Sequence, residues 1–136
     1  MASSLTHLIY HIIFSTKNRT SSIPQELSEQ LYPYIIGIIK NKHGHLYAIG
    51  GIENHIHILA QLPGDYCISD CVRDIKGSTS HWINQKKLAP HHFNWQRGFG
   101  AFSVSESAIE NVITYIQSQK DHHEKQTFEE EYKQFL

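Results

Sequence analysis

Two histidines one residue apart, His55 and His57, stand in the run Gly50-Gly51-Ile52-Glu53-Asn54-His55-Ile56-His57-Ile58-Leu59-Ala60. Ile52, Ile58 and Leu59 favour a strand, and side chains two apart on a strand leave the same face. Both imidazoles would then project together, with Ile56 and Ile58 on the other side. Two imidazoles on a stiff strand make half of a metal site. Further along, Ile109, Val112, Ile113 and Ile116 recur at helical spacing. Tyr115 and Gln119, four residues apart, lie together on the margin of that stripe, where a hydroxyl and an amide can face a cleft.

Each residue also has an ordinary reading. A histidine pair on a strand is commonly a surface or satisfied pair, a helical tyrosine commonly packs, and a lone glutamine commonly faces solvent. The combination, not any single residue, points to chemistry.

The elements that would position these groups are legible from periodicity. Leu5 to Phe14 reads as a strand, followed by a polar, basic loop, Lys17-Asn18-Arg19-Thr20-Ser21. A helix is expected from Ser22, as cap, with Gln25 completing a capping box. Leu27, Leu31, Tyr34, Ile35 and Ile38 form its stripe, and Pro33 should bend or break it. Strands are expected over His45 to Ile49 and Ile52 to Gln61, joined as a hairpin by Gly50-Gly51. Ile68, Cys71, Val72, Ile75, Trp82 and Ile83 mark a second helix. Phe93 to Val104 reads as one strand or a hairpin, and Ser107 to Glu110 as a capping box opening the third helix. Phe128, Tyr132 and Phe135 could anchor a last one. The order β-α-β-β-α-β-α is α+β. Its first six elements follow the ferredoxin-like split βαβ plan, an antiparallel sheet with helices on one face, to which a C-terminal helix is added.

The chain has 136 residues, of which 40% are apolar, consistent with one domain over 1–136 and with a real core. No apolar run approaches a membrane span and the start lacks the basic residues of a secretory signal, so a cytoplasmic protein is expected. Cys67 and Cys71 lack the spacing of a thiolate metal site and read as reduced packing residues. The formal net charge is −1, so any phosphate binding must come from a local basic patch.

His55-Ile56-His57 resembles the HUH motif of histidine, bulky apolar residue, histidine. Tyr115-Ile116-Gln117-Ser118-Gln119 resembles the tyrosine helix of the single-tyrosine HUH transposases of the insertion-sequence 200/605 type, of which the REP-associated tyrosine transposases are close relatives. Tyr10-His11-Ile12-Ile13-Phe14-Ser15-Thr16-Lys17, Trp95-Gln96-Arg97-Gly98-Phe99-Gly100-Ala101-Phe102 and Gln119-Lys120-Asp121-His122-His123 follow the same family's habits. The resemblance implies that His55, His57 and Gln119 hold a divalent ion, Mg²⁺ or Mn²⁺, although two imidazoles would also accept Zn²⁺, and that Tyr115 is the nucleophile. It implies hairpin-containing single-stranded DNA as substrate, a 5′-phosphotyrosine link with a free 3′-OH, rejoining of strands, and a homodimer. Lys17, Arg19, Arg73, Lys76 and Arg97 are the candidate DNA contacts.

Rival functions remain open at this point. A histidine-triad hydrolase needs H-x-H-x-H, and the third position is Leu59. A zinc hydrolase would want a third His, Asp or Glu, for which Glu53 is available. A non-catalytic nucleic-acid module on the same fold would bind through sheet aromatics, and a domesticated relative would cut without moving an element.

Overall fold

The computed structural model describes residues 4–119 and 133. The chain forms β1 (Leu8–Ser15), α1 (Gln25–Asn41), β2 (His45–Ile52), β3 (His55–Leu62), α2 (Ile68–Lys86), β4 (Gly100–Ser103) and α3 (Ile109–Gln117), with short 3-10 turns at Lys17–Arg19 and Glu106–Ala108. The four strands make one antiparallel sheet in the order β2-β3-β1-β4. This is the expected ferredoxin-like arrangement: α1 crosses from β1 to β2, and β3 returns between them.

Strand alternation divides the core in two. Tyr10, Ile12 and Phe14 of β1 and Ile56, Ile58, Ala60 and Leu62 of β3 face α1 and α2, joining Leu31, Ile35, Ile39, Val72, Ile75 and Ile83. Ile9 and Leu59 face the other way and pack with Ala48, Ile109 and Ile116. Thus α3 covers the face opposite the other two helices. Each fully buried aliphatic of this size contributes about 1.5–3 kcal/mol. A helix as short as α3 does not persist alone in water, so its docking onto the sheet is what fixes its position.

Several local expectations are corrected. Gly50 and Gly51 lie inside β2, and the turn is Glu53-Asn54. Gly51 pairs with Ile56 and Gly50 with His57, so the ladder runs through both glycines. At Gly50 the reason is space: a Cβ there would lie 2.8 Å from the Ile116 carbonyl oxygen and 3.2 Å from Ile116 Cγ2. Pro33 sits within an unbroken α1, whose N-cap is Pro24 rather than Ser22. The Ser107 capping box does not form; a 3-10 turn leads into α3, capped by Ala108 without a side-chain hydrogen bond. Between Phe93 and Val104 only Gly100–Ser103 is a strand, with Trp95 making an isolated bridge to Thr16. The expected contacts of Phe128, Tyr132 and Phe135 lie outside the described residues.

Cys71 is buried and Cys67 exposed, and neither is in a disulfide. Burial pushes the Cys71 thiol up to about 11, which suits packing rather than metal ligation. Among the described residues, no helix is long and apolar enough to cross a membrane.

Candidate active site

Register sets the site. His57 pairs with Ile13, His55 with Ser15, and His11 with Leu59. These six residues share one sheet face, the face that α3 covers. His11, His55 and His57 are nearly fully buried, at 1%, 0% and 0% exposure. Their rings form a chain: His55 and His57 have centroids 5.1 Å apart, and so do His57 and His11. His11 Nε2 lies 2.8 Å from His57 Nδ1.

From α3, Tyr115 sets its ring edge-on to both His57 and His11, with centroids at 5.8 and 6.3 Å. It is half-buried rather than sealed in the core. Gln119 lies past the end of α3, beyond the C-cap Ser118, so it does not share one unbroken helix with Tyr115. Its side chain turns back instead. Nε2 donates to the Tyr115 carbonyl at 3.4 Å, and Oε1 approaches His55 Nε2 at 3.3 Å. The candidate set His55, His57, Tyr115 and Gln119 therefore converges within one chain.

His55 has an oxygen at each ring nitrogen: Asn54 Oδ1 at 2.8 Å from Nδ1, and Gln119 Oε1 at 3.3 Å from Nε2. A neutral imidazole carries one N–H. With the shorter contact holding the proton, two lone-pair-bearing atoms face one another at Nε2 and Oε1. A cation held between them would be ligated by both. Two ligands that each bind one ion at about 2.1 Å stand roughly 3.0–3.4 Å apart, and two such imidazoles have centroids roughly 5 Å apart. The observed separations match both expectations. Among the described residues no cluster of three or more His, Cys, Asp or Glu is arranged to hold an ion. The set that could hold an ion here is two imidazoles and a carboxamide oxygen, a mixed nitrogen and oxygen set. Glu53 is exposed in the turn and does not share the strand face of His55, which removes the zinc-hydrolase argument built on it.

Gly50 lets α3 come this close. Gly50→Ala is expected to push α3 off the sheet, since the clashing atom is backbone. Overpacking of this kind costs about 1–3 kcal/mol, and a 1 Å displacement of a reacting group can cost roughly 10²-fold in rate. A lowered melting temperature together with a cleavage rate reduced more than tenfold is the expected result; an unchanged rate would refute the close-approach argument.

The candidate DNA contacts form a second locality. A groove of about 510 Å³ runs between α2 and the segment 94–99, lined by Arg73, Lys76, Arg97 and the exposed Phe99. Lys17 and Arg19 lie on the exposed 3-10 turn after β1, and Arg19 reaches a neighbouring hollow with Arg97. Arg73 is paired with Asp70 at 3.1 Å and Asp74 at 3.5 Å. Lys76 commits two of its three donors to backbone: Nζ reaches Gln96 O at 2.7 Å and Gly98 O at 2.6 Å. Burial lowers its pKa from the usual lysine value. Lys76 thus holds the Arg97 segment in place. Lys76→Met should loosen it, with faster amide exchange at 96–99 and a stability loss of about 1.5–3 kcal/mol, the worth of a charged hydrogen bond. Unchanged exchange would rule out the latch.

His11 carried no role in the sequence reading. Its neighbour His57 is 46 positions away in the chain, and only the β1–β3 register brings the two rings together. The approach to Asn54 was also missed, although its place directly before His55 was a visible signal. His122 and His123, part of the run that follows the family's habits, lie outside the described residues.

No curated protein matches the chain. Among solved structures, a candidate transposase from Deinococcus radiodurans R1 superimposes with a TM-score of 0.69 at 22% identity, covering 88% of this chain and 95% of that one. A REP-associated tyrosine transposase bound to a REP hairpin superimposes with a TM-score of 0.68 at 19% identity, covering 90% of this chain and 74% of that one. These likenesses establish a shared fold. The family model described as "Transposase IS200 like" matches residues 4–119. With that span including β1, the histidine strand and the tyrosine helix, the chain belongs to the IS200-like transposase family.

Proposed function

We propose that this transposase binds single-stranded DNA containing hairpins, cuts it through Tyr115, and rejoins strands. The observation that carries the proposal is the convergence of a phenol, two imidazoles and a carboxamide oxygen on one face of the sheet. The REP hairpin held by the similar solved structure supports hairpin DNA as the substrate class.

In this reading His55, His57 and Gln119 hold a divalent ion. Such an ion, when bound, polarises a phosphate oxygen and stabilises charge on a departing 3′ oxygen. Tyr115 Oη attacks phosphorus; the Tyr O–P bond forms, the P–O3′ bond breaks, and the phenolic proton is lost while the 3′ oxygen gains one. A phenol is mostly protonated at neutral pH, since its reference pKa is about 10. The edge-on contacts hold the Tyr115 ring against His57 and His11. The phosphotyrosine link preserves the phosphodiester, so a second 3′-OH can reverse the step and join new ends. Arg19 and Arg97, with Lys17, bind backbone phosphates, and Phe99 offers a stacking surface.

The test is incubation of the protein with a labelled hairpin oligonucleotide and Mn²⁺. The expected products are a strand ending in 3′-OH and a protein–DNA adduct located at Tyr115 by mass spectrometry. Cleavage with no adduct at any stage would overturn the mechanism.

A further inference from the structure

We propose that Asn54 and His11 are the positioning residues of this site, each gripping one imidazole at Nδ1 so that both rings present an Nε2 lone pair. The ligand role of those lone pairs rests on the reading above; the tautomers themselves do not.

Asn54 Oδ1 lies 2.8 Å from His55 Nδ1, and a carbonyl oxygen only accepts. Gln119 Oε1 lies farther off, 3.3 Å from Nε2; in a neutral ring, which has one N–H, the shorter contact takes the proton at Nδ1 and leaves the lone pair on Nε2. Asn54 is itself held. Its backbone oxygen accepts from Thr16 N at 2.9 Å and Thr16 Oγ1 at 3.2 Å. Its Nδ2 makes a long contact to the Arg19 carbonyl at 3.5 Å, which turns the amide so that oxygen faces the ring. The turn carrying Asn54 is tied again by Ile23 N to Glu53 O at 2.9 Å. The grip on His55 thus comes from Asn54 in the β2–β3 turn, braced by Thr16 and Arg19 from the segment after β1.

At His57 the partner is another imidazole. His11 Nε2 at 2.8 Å from Nδ1 requires one donor and one acceptor. The arrangement in which His57 Nδ1 donates places its lone pair on Nε2, matching His55, and leaves the proton of His11 on its own Nδ1. His11 and His57 are diagonal neighbours on adjacent strands, both fully enclosed. Neither ring can turn without displacing the other. Such outer partners fix ring orientation and raise ligand basicity, and their loss typically costs 10- to 100-fold in metal affinity.

The experiment has two parts. Two-bond ¹H–¹⁵N spectra of the metal-free protein should show the Nδ1–H tautomer at both His55 and His57; the Nε2–H tautomer at either would overturn the proposal for that ring. Mn²⁺ affinity, measured by calorimetry, should fall roughly 10- to 100-fold in Asn54→Leu and in His11→Leu. Asn54→Asp should restore it, as should His11→Gln, whose amide oxygen can accept from Nδ1. Leucine variants that bind Mn²⁺ within twofold of the parent would sink the positioning role. Should His11→Leu fail to fold, Asn54→Leu and the parent spectra still decide. A parent with the expected tautomers but no Mn²⁺ binding would refute the ion-site reading and leave the tautomer assignment standing.

Discussion

Tyr115→Phe is expected to eliminate the covalent protein–DNA adduct and to slow strand cleavage by at least roughly 10³-fold, the scale seen when a covalent nucleophile is removed. The substitution deletes one oxygen and keeps the ring. The edge-on contacts to His57 and His11 at 5.8 and 6.3 Å are made by that ring, so α3 should stay seated and the melting temperature should move little. Binding to a hairpin oligonucleotide should persist within about threefold, because the candidate phosphate contacts lie on other elements. Adduct and cleavage should fail together. If the phenylalanine variant cuts as fast as the parent, Tyr115 is not the nucleophile.

His57→Ala should separate binding from cutting. Hairpin DNA should still be retained in a mobility-shift assay, while cleavage falls by roughly 10³-fold or more and Mn²⁺ affinity drops beyond the 10- to 100-fold of an outer-sphere change. The truncation also removes the 2.8 Å partner of His11 and opens a void in a buried site, at a cost of about 1–3 kcal/mol. His57→Gln keeps a polar side chain there and should fold more stably while remaining inactive. Full cleavage in either variant would exclude His57 from the reaction. Loss of DNA binding in a well-folded His57→Gln would show that the histidine acts in binding instead.

Much of the architecture was legible because its signals are local and repeated. Stripes such as Leu27-Leu31-Ile35 and Ile109-Val112-Ile116 announce helices, and the element order alone restricts the sheet to very few topologies. Boundaries were less legible. Gly50-Gly51 reads as a turn by composition, yet it is ladder, because α3 needs the space that a missing Cβ leaves at Gly50. Ser22 and Ser107 have the spacing of caps and do not cap; chain direction imposed by the packed sheet overrode a preference worth only about 1 kcal/mol. The basic groove was legible as a set of charges but not as a structure. Arg73 proves to be paired with carboxylates, and Lys76 with backbone.

For the site, sequence by itself determined the common face of His55 and His57, since a two-residue period is a property of any strand. It also determined that Tyr115 would stand beside a buried stripe, since helical spacing requires it. Only the tertiary structure decided which face of the sheet α3 would cover, that Gln119 would fold back toward His55 from beyond the helix end, and that His11 and Asn54 would grip the two rings. Those outcomes depend on strand register and on the docking of a helix too short to hold its place alone. Both are set by contacts between residues far apart in the chain, and no local pattern encodes them.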